Sequence, residues 1–69
     1  MNLNKLKGRI RESNKTYRDC AKTIGISTAS FNSKMNGKSR FYIDELEELG
    51  NFLNMTGNEK LNIFFNESL

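Results

Sequence analysis

The feature that most constrains the fold is a 22-residue stretch, residues 16–37, that contains the signals for two short helices and a tight turn. Thr16, followed three residues later by Asp19, has the pattern of a capping box at the start of a helix. Gly25 tolerates the left-handed backbone that ends a helix abruptly, and Ser27 can cap the next one. The stretch therefore predicts a helix-turn-helix, with helices over about 16–24 and 28–36.

The apolar residues of this stretch indicate which side of each helix is buried. Phe31 and Met35 lie on one face of the second helix at i, i+4 spacing. Cys20 is interpreted as a small packing residue and not as a redox switch. Three further residues are also expected in the core: Ala21, Ile24 and Ile26.

The rest of the chain predicts three more helices and no strands. Apolar residues at helical spacing are expected to face the core: Leu3, Leu6 and Ile10 in the first helix, and Ile43, Leu46, Leu49 and Leu53 in the fourth. The fourth helix is predicted to run from Tyr42 or Ile43 to about Asn54. Gly57 is expected to end it and Asn58 to cap a fifth helix over about 59–67. The prediction is one compact all-α domain of five helices, residues 1–69.

Size and composition exclude several classes of function. A chain of 69 residues with no histidine and one cysteine is a poor candidate for an enzyme, a metal site or a disulfide framework. We expect no catalysis, no cofactor, no metal and no small-molecule substrate. No apolar run approaches membrane-spanning length and the N-terminus lacks a signal-peptide core, so a cytoplasmic protein with no membrane partner is expected.

Charge is divided unevenly along the chain. Residues 1–40 contain ten Lys or Arg against two acids, and residues 41–69 contain one base against six acids. Such asymmetry is typical of a protein with one surface facing a polyanion, although charge can also serve only to keep a small domain soluble. Because the basic half contains the helix-turn-helix, the sequence favours nucleic-acid binding.

The second helix of the pair has a polar face that is suited to reading DNA. With Thr28 at 0°, helical rotation places Asn32 at about 40°, Ala29 at about 100° and Ser33 at about 140°. Asn32 can pair bidentately with adenine, and the methyl groups of Thr28 or Ala29 can meet a thymine methyl. The alternative is that these side chains are merely solvated surface.

The chain resembles the Cro/repressor family of phage helix-turn-helix regulators. The residues that stand at signature positions of that family are Ala21, Gly25, Ile26, Ser27, Phe31 and Asn36-Gly37, and residues 41–49 are similar to its fourth helix. The resemblance implies that Thr28, Ala29, Asn32 and Ser33 face base edges and that Asn36 contacts a phosphate. Two departures are that Thr28 and Ala29 stand where relatives often have glutamine, and that Lys34 replaces an aliphatic residue.

Phosphate contacts are expected around the reading helix. Tyr17 matches a family position that reaches the DNA backbone, and the N–H groups at the starts of the two helices are dipole-oriented donors. Lys38 and Arg40 follow the reading helix and are the cations expected to contribute most. The full expected set is Tyr17, Arg18, Ser27, Asn36, Lys38 and Arg40.

The resulting hypothesis is a sequence-specific transcriptional regulator of phage or prophage type, acting on the nucleoid of a bacterial host. It would bind double-stranded operator DNA as a homodimer and occlude a promoter. The dimer is expected to form through the last helix. Ile63 cannot share a helix face with Leu61 and Phe65, and so short a chain has little remaining core to cover it. An uncovered apolar residue of this kind is typical of a partner surface. Ile63 and Phe64 are the residues assigned to that surface. The alternative is an interaction module of the same fold, an antitoxin or antirepressor, that does not read DNA.

Overall fold

The computed structural model describes residues 1–65, which form five α-helices and contain no β-strand. The prediction of an all-α, five-helix fold is confirmed. In chain order the helices are α1 (Leu3–Glu12), α2 (Tyr17–Ile24), α3 (Thr28–Met35), α4 (Ile43–Phe52) and α5 (Gly57–Phe64). None of these helices is long and apolar enough to cross a membrane.

Short polar residues define where the helices begin. The hydroxyl of Thr16 accepts the N–H of Asp19 at 3.1 Å, and a carboxylate oxygen of Asp19 accepts the N–H of Thr16 at 2.9 Å. This is the reciprocal capping box expected for α2. Asn2 and Ser27 cap α1 and α3 through their side-chain oxygens, which accept the N–H of Lys5 and of Ser30 without a reciprocal bond.

Four helices end in the same manner, at a residue with positive φ. The next N–H donates back to a carbonyl five residues earlier, as in Ile26 to Ala21 at 3.0 Å and Lys38 to Ser33 at 2.9 Å. These bonds satisfy carbonyls that the helix leaves unpaired. The four left-handed residues are Asn14, Gly25, Gly37 and Asn54.

The core joins all five helices in one cluster. Phe31 of α3 is fully buried, and its ring meets those of Tyr17 and Phe41 edge to face at 5.2 and 5.7 Å between centroids. Such pairs contribute about 0.5–1.5 kcal/mol beyond the burial of their area. The expected burial of Cys20 and Met35 is confirmed. Other buried members are Leu6, Ile10, Ala21, Ile24, Leu46, Leu49, Leu53, Met55, Ile63 and Phe64.

The predicted boundary between the last two helices is wrong. Gly57 does not end α4 and Asn58 does not cap α5, because Asn54 takes the left-handed conformation and Thr56 caps the next helix. The Thr56 hydroxyl accepts the N–H of Glu59 at 3.1 Å, and Glu59 accepts the N–H of Thr56 at 3.0 Å. Thr56-x-x-Glu59 is a capping-box pattern, which decides the boundary over the glycine.

The expectation that Ile43 faces the core is also wrong, since it is 75% exposed. It occupies the first position of α4, and helical side chains lean toward the N-terminus of their helix. The Ile43 side chain therefore projects beyond the end of the packed stripe. That stripe begins one turn later, with Leu46.

The expectation that Ile63 lacks cover is wrong, and with it the assignment of Ile63 and Phe64 to an exposed dimer surface. Both are buried in the chain's own core, at 7% and 5% exposure, whereas Leu61 and Phe65 are 39% and 48% exposed. The inward stripe of α5 starts at Lys60, whose aliphatic stem lies against Gly50. Lys60, Ile63 and Phe64 follow the i, i+3, i+4 spacing of a buried helical face.

Candidate nucleic-acid interface

Helices α2 and α3 are joined by only three residues, Gly25, Ile26 and Ser27. Gly25 has φ 76°, and a Cβ built on it would meet no atom within 4 Å. The glycine is therefore required by the backbone and not by lack of space. Ile26 packs against the core beside it. The connection holds the start of α3 close to the end of α2.

Helix α3 separates a buried face from an exposed polar one. Phe31, Lys34 and Met35 are buried. On the other side Thr28, Ala29 and Asn32 are exposed, and Ser33 is half-buried. Short uncharged side chains of this kind allow a helix to lie deep in a groove about 12 Å wide.

The groups that the start of α3 offers to a ligand are backbone N–H donors and not the Ser27 hydroxyl. That hydroxyl accepts the N–H of Ser30 at 3.0 Å and lies 3.0 Å from the Ser30 hydroxyl. It is thus occupied in capping the helix. The N–H groups of Thr28 and Ala29, at the first two helical positions, have no carbonyl partner within the helix. These are the groups that an oxygen of an anion can accept from.

Two cations expected to contact phosphates, Lys38 and Arg40, are exposed in the loop after α3. The Lys38 N–H is bonded to the Ser33 carbonyl, and the Arg40 carbonyl accepts from the Lys34 ammonium at 2.6 Å. Asn36 is exposed at the end of α3. The loop backbone is thus attached to α3, while the side chains of Lys38 and Arg40 are exposed to solvent.

The structure also brings Lys7 and Arg11, which the sequence does not assign to the site, together with Lys15. A cleft of about 220 Å³ lies between the end of α1 and the start of α2. Burial raises the pKa of the Tyr17 hydroxyl above its ordinary value. The cleft is lined by Lys7, Ile10, Arg11, Lys15, Thr16 and Tyr17. The spacing of Lys7 and Arg11, i and i+4 on α1, was the available signal.

The cations of residues 1–40 differ in whether they are paired with an acid within the fold. Arg9 pairs with Glu59 at 3.1 Å and Lys34 with Glu45 at 3.3 Å, so these two are engaged within the fold. Lys15 lies over the Phe52 ring at 4.8 Å. The cations that form no ion pair with an acid of residues 1–65 include Lys7, Arg11, Arg18, Lys38 and Arg40. Their charges are therefore not offset by a neighbouring carboxylate within the described residues.

Scans of protein-family models, curated proteins and solved structures gave no match to this chain. Within the part of the chain that the structure describes, no three His, Cys, Asp or Glu side chains come together to hold a metal. The thiol of Cys20 is buried, which raises its pKa to about 11 and leaves it protonated at neutral pH.

Proposed function

We propose that the protein is a sequence-specific DNA-binding transcriptional regulator of the helix-turn-helix type, similar to the phage Cro/repressor family. The observation that carries the proposal is the two-sided α3. Its apolar side is buried. Its exposed residues are all small or short and polar, namely Thr28, Ala29, Ser30 and Asn32, and Ser33 is half-buried.

The charges around α3 support the same function. Lys38 and Arg40 lie just beyond the helix, and Lys7 and Arg11 line the cleft beside the start of α2. Cations near a reading helix can contact the phosphates of the DNA strands that border a groove. In this proposal Thr28, Ala29, Asn32 and Ser33 read bases, and the flanking cations, Tyr17 and Asn36 hold phosphates.

A homodimer on a roughly palindromic operator completes the proposal. Two recognition helices would enter successive major grooves about 34 Å apart and block a promoter. Because Ile63 and Phe64 are buried, the surface of α5 that is available to a second copy is Leu61 with Phe65. These two residues share a face at i, i+4 spacing.

A protein-interaction module of the same fold is the second candidate. The exposed Leu61 and Phe65, together with Tyr42 and Ile43 at the start of α4, are large apolar groups in solvent. A partner protein could cover them. This candidate requires no affinity for DNA, and one measurement therefore separates the two functions.

The test is a fluorescence-anisotropy titration of a labelled duplex over a range of salt concentrations. A dimer with about eight phosphate contacts should give a slope of log K against log salt near −7. Lys38→Met should make the slope shallower by about 1.8 per dimer, at about 0.9 per phosphate contact. Lys60→Met is the matched control, because Lys60 pairs with Glu47 in the acidic half. Absence of binding, or equal slopes for both variants, would contradict the proposal.

A further inference from the structure

The loop between α3 and α4, residues 36–42, is attached to α3 at two points. Near its start, the Lys38 N–H donates to the carbonyl of Ser33 at 2.9 Å. Near its end, the Lys34 ammonium donates to the carbonyl of Arg40 at 2.6 Å. The backbone of each of the two loop cations is therefore hydrogen bonded to a residue of the reading helix.

The second attachment depends on an ammonium group placed in the interior. The side chain of Lys34 is only 10% exposed, and its nitrogen lies 3.3 Å from a carboxylate oxygen of Glu45, itself 11% exposed. The rings of Phe41 and Tyr42 lie 5.7 and 5.0 Å from that nitrogen. Removing an ammonium and a carboxylate from water is costly even when they are paired. An aliphatic side chain would fill this position without that cost, so packing alone does not account for the lysine.

Glu45 fixes the other side of the same loop end. Its Oε1 accepts the N–H of Tyr42 at 2.8 Å, which also caps the start of α4. The pair Lys34 and Glu45 thus binds the carbonyl of Arg40 and the N–H of Tyr42 at once. Phe41, between them, is half-buried with its ring against Phe31. The end of the loop is held by charge and by packing.

We propose that Lys34 is a positioning residue, which holds Lys38 and Arg40 at a set distance from the base-reading side chains. Lys34 follows Ser33 directly, so a displacement of α3 carries the loop with it. Phosphate contacts from Lys38 and Arg40 that move together with the reading helix would set the register of that helix in the groove. This role rests on the proposed DNA-binding function, but the anchoring of the loop can be measured without DNA.

Two glutamates provide a matched pair of substitutions. Glu45 and Glu59 each occupy the third position of a helix, accept a capping N–H, and pair with a cation. Glu45→Gln and Glu59→Gln both remove one negative charge and retain a side chain that can cap. Only Glu45→Gln leaves the Lys34 ammonium without its carboxylate and frees the end of the loop.

The first readout is limited trypsin cleavage after Lys38 and Arg40, at a temperature where all variants are folded. Cleavage of a locally opened segment follows the population of its open form. We expect Glu45→Gln to speed cleavage at these two sites by about tenfold over wild type, and Glu59→Gln to leave it unchanged. Equal rates in the two variants would overturn the anchoring role.

The second readout is DNA affinity, for which simple electrostatics and the positioning role predict opposite signs. Each substitution raises the net charge by one, which by itself favours binding to DNA. Glu59→Gln should therefore bind as tightly as wild type or tighter. Glu45→Gln should bind about tenfold more weakly, because two long side chains must be ordered at each encounter. Undiminished affinity in Glu45→Gln would overturn the positioning role.

The outcomes separate this inference from the proposed function. Faster cleavage in Glu45→Gln with no DNA affinity in any variant, wild type included, would refute DNA binding and leave the anchor supported. Should Glu45→Gln fail to fold, the double variant Lys34→Met with Glu45→Leu replaces the buried pair by apolar side chains of similar size, a change that proteins tolerate well. The same two measurements then apply, with the same expected directions.

Discussion

Phe31 gives the sharpest test of how α3 is held in the fold, because the chain offers the same substitution at a more exposed phenylalanine, Phe65. Phe31→Ala removes a fully buried ring that pairs edge to face with Tyr17 and Phe41. Phe65→Ala removes a ring that is 48% exposed and pairs with Phe64 at 6.5 Å between centroids. The two variants have the same composition and differ only in where the ring is lost.

The two substitutions are expected to lower the free energy of unfolding by clearly different amounts. Complete loss of a buried phenylalanine costs about 3–5 kcal/mol, including the cavity left behind. Half-burial of Phe65 limits its transfer free energy to about 1 kcal/mol. A domain of 69 residues is expected to have a free energy of unfolding of about 3–10 kcal/mol. Phe31→Ala therefore removes a large fraction of the stability, and Phe65→Ala a small one.

The assay is urea unfolding followed by far-UV circular dichroism, in which the midpoint reports stability when the slope is unchanged. We expect Phe31→Ala to be partly unfolded without urea and Phe65→Ala to unfold close to wild type. Phe31→Leu keeps most of the buried volume and should lie between them. Equal losses for Phe31→Ala and Phe65→Ala would refute the assignment of Phe31 as the centre of the core.

Three further results are expected. Gly25→Ala should lower the free energy of unfolding by about 1–2 kcal/mol, since φ is 76°, whereas Gly8→Ala within α1 should raise it by about 0.5–1 kcal/mol; urea midpoints measure both. The backbone hydrogen bond from Thr16 lowers the pKa of Asp19. The ionised Asp19 carboxylate therefore stabilises the folded state at pH values above the ordinary pKa of about 4, and this stabilisation is lost as pH falls through the lower pKa of the folded state. Asp19→Asn should accordingly make the melting temperature fall less steeply at acidic pH. Leu61→Glu should make a dimer dissociate in sedimentation experiments while Asn58→Glu does not; a monomeric wild type that also binds one operator as a monomer would contradict the dimer.

The helix starts and ends were largely predictable because their signals are local. Thr16 with Asp19, Gly25 and Ser27 each act on backbone groups within a few residues, so the sequence alone identified the boundaries of α2 and α3. The start of α5 obeys the same rules, through the capping box of Thr56 and Glu59, although the neighbouring Gly57 and Asn58 also have the pattern of a helix boundary.

The positions of two lysines could not be predicted in this way. Lys34 and Lys60 complete buried i, i+3, i+4 stripes, Phe31-Lys34-Met35 in α3 and Lys60-Ile63-Phe64 in α5. A lysine is assigned to the surface by its charge, yet its stem can pack while its ammonium finds a carboxylate or carbonyl. Which acid or carbonyl lies nearby, Glu45 for Lys34 and Asn51 for Lys60, depends on how α4 packs against α3 and α5. That information is not local in the sequence.

The candidate site likewise has a part that local sequence pattern predicts and a part that depends on how the helices pack. The exposed face of α3 followed from helical periodicity and from the burial of Phe31 and Met35, and the structure exposes Thr28, Ala29 and Asn32 as expected. The cleft lined by Lys7, Arg11 and Lys15 required the relative placement of α1 and α2. The identity of the bases that the α3 side chains would contact stays a prediction.

Selection of bound sites from random duplex DNA, with wild type and Asn32→Ala in parallel, tests the central claim most directly. We expect wild type to enrich a roughly palindromic motif with half-site centres about 34 Å apart. Asn32→Ala should keep the melting temperature, lose about 1–3 kcal/mol at that motif, and relax preference at one base pair of each half-site. Enrichment of no motif by wild type, or an unchanged motif with Asn32→Ala, would contradict the assignment of α3 as the helix that reads DNA.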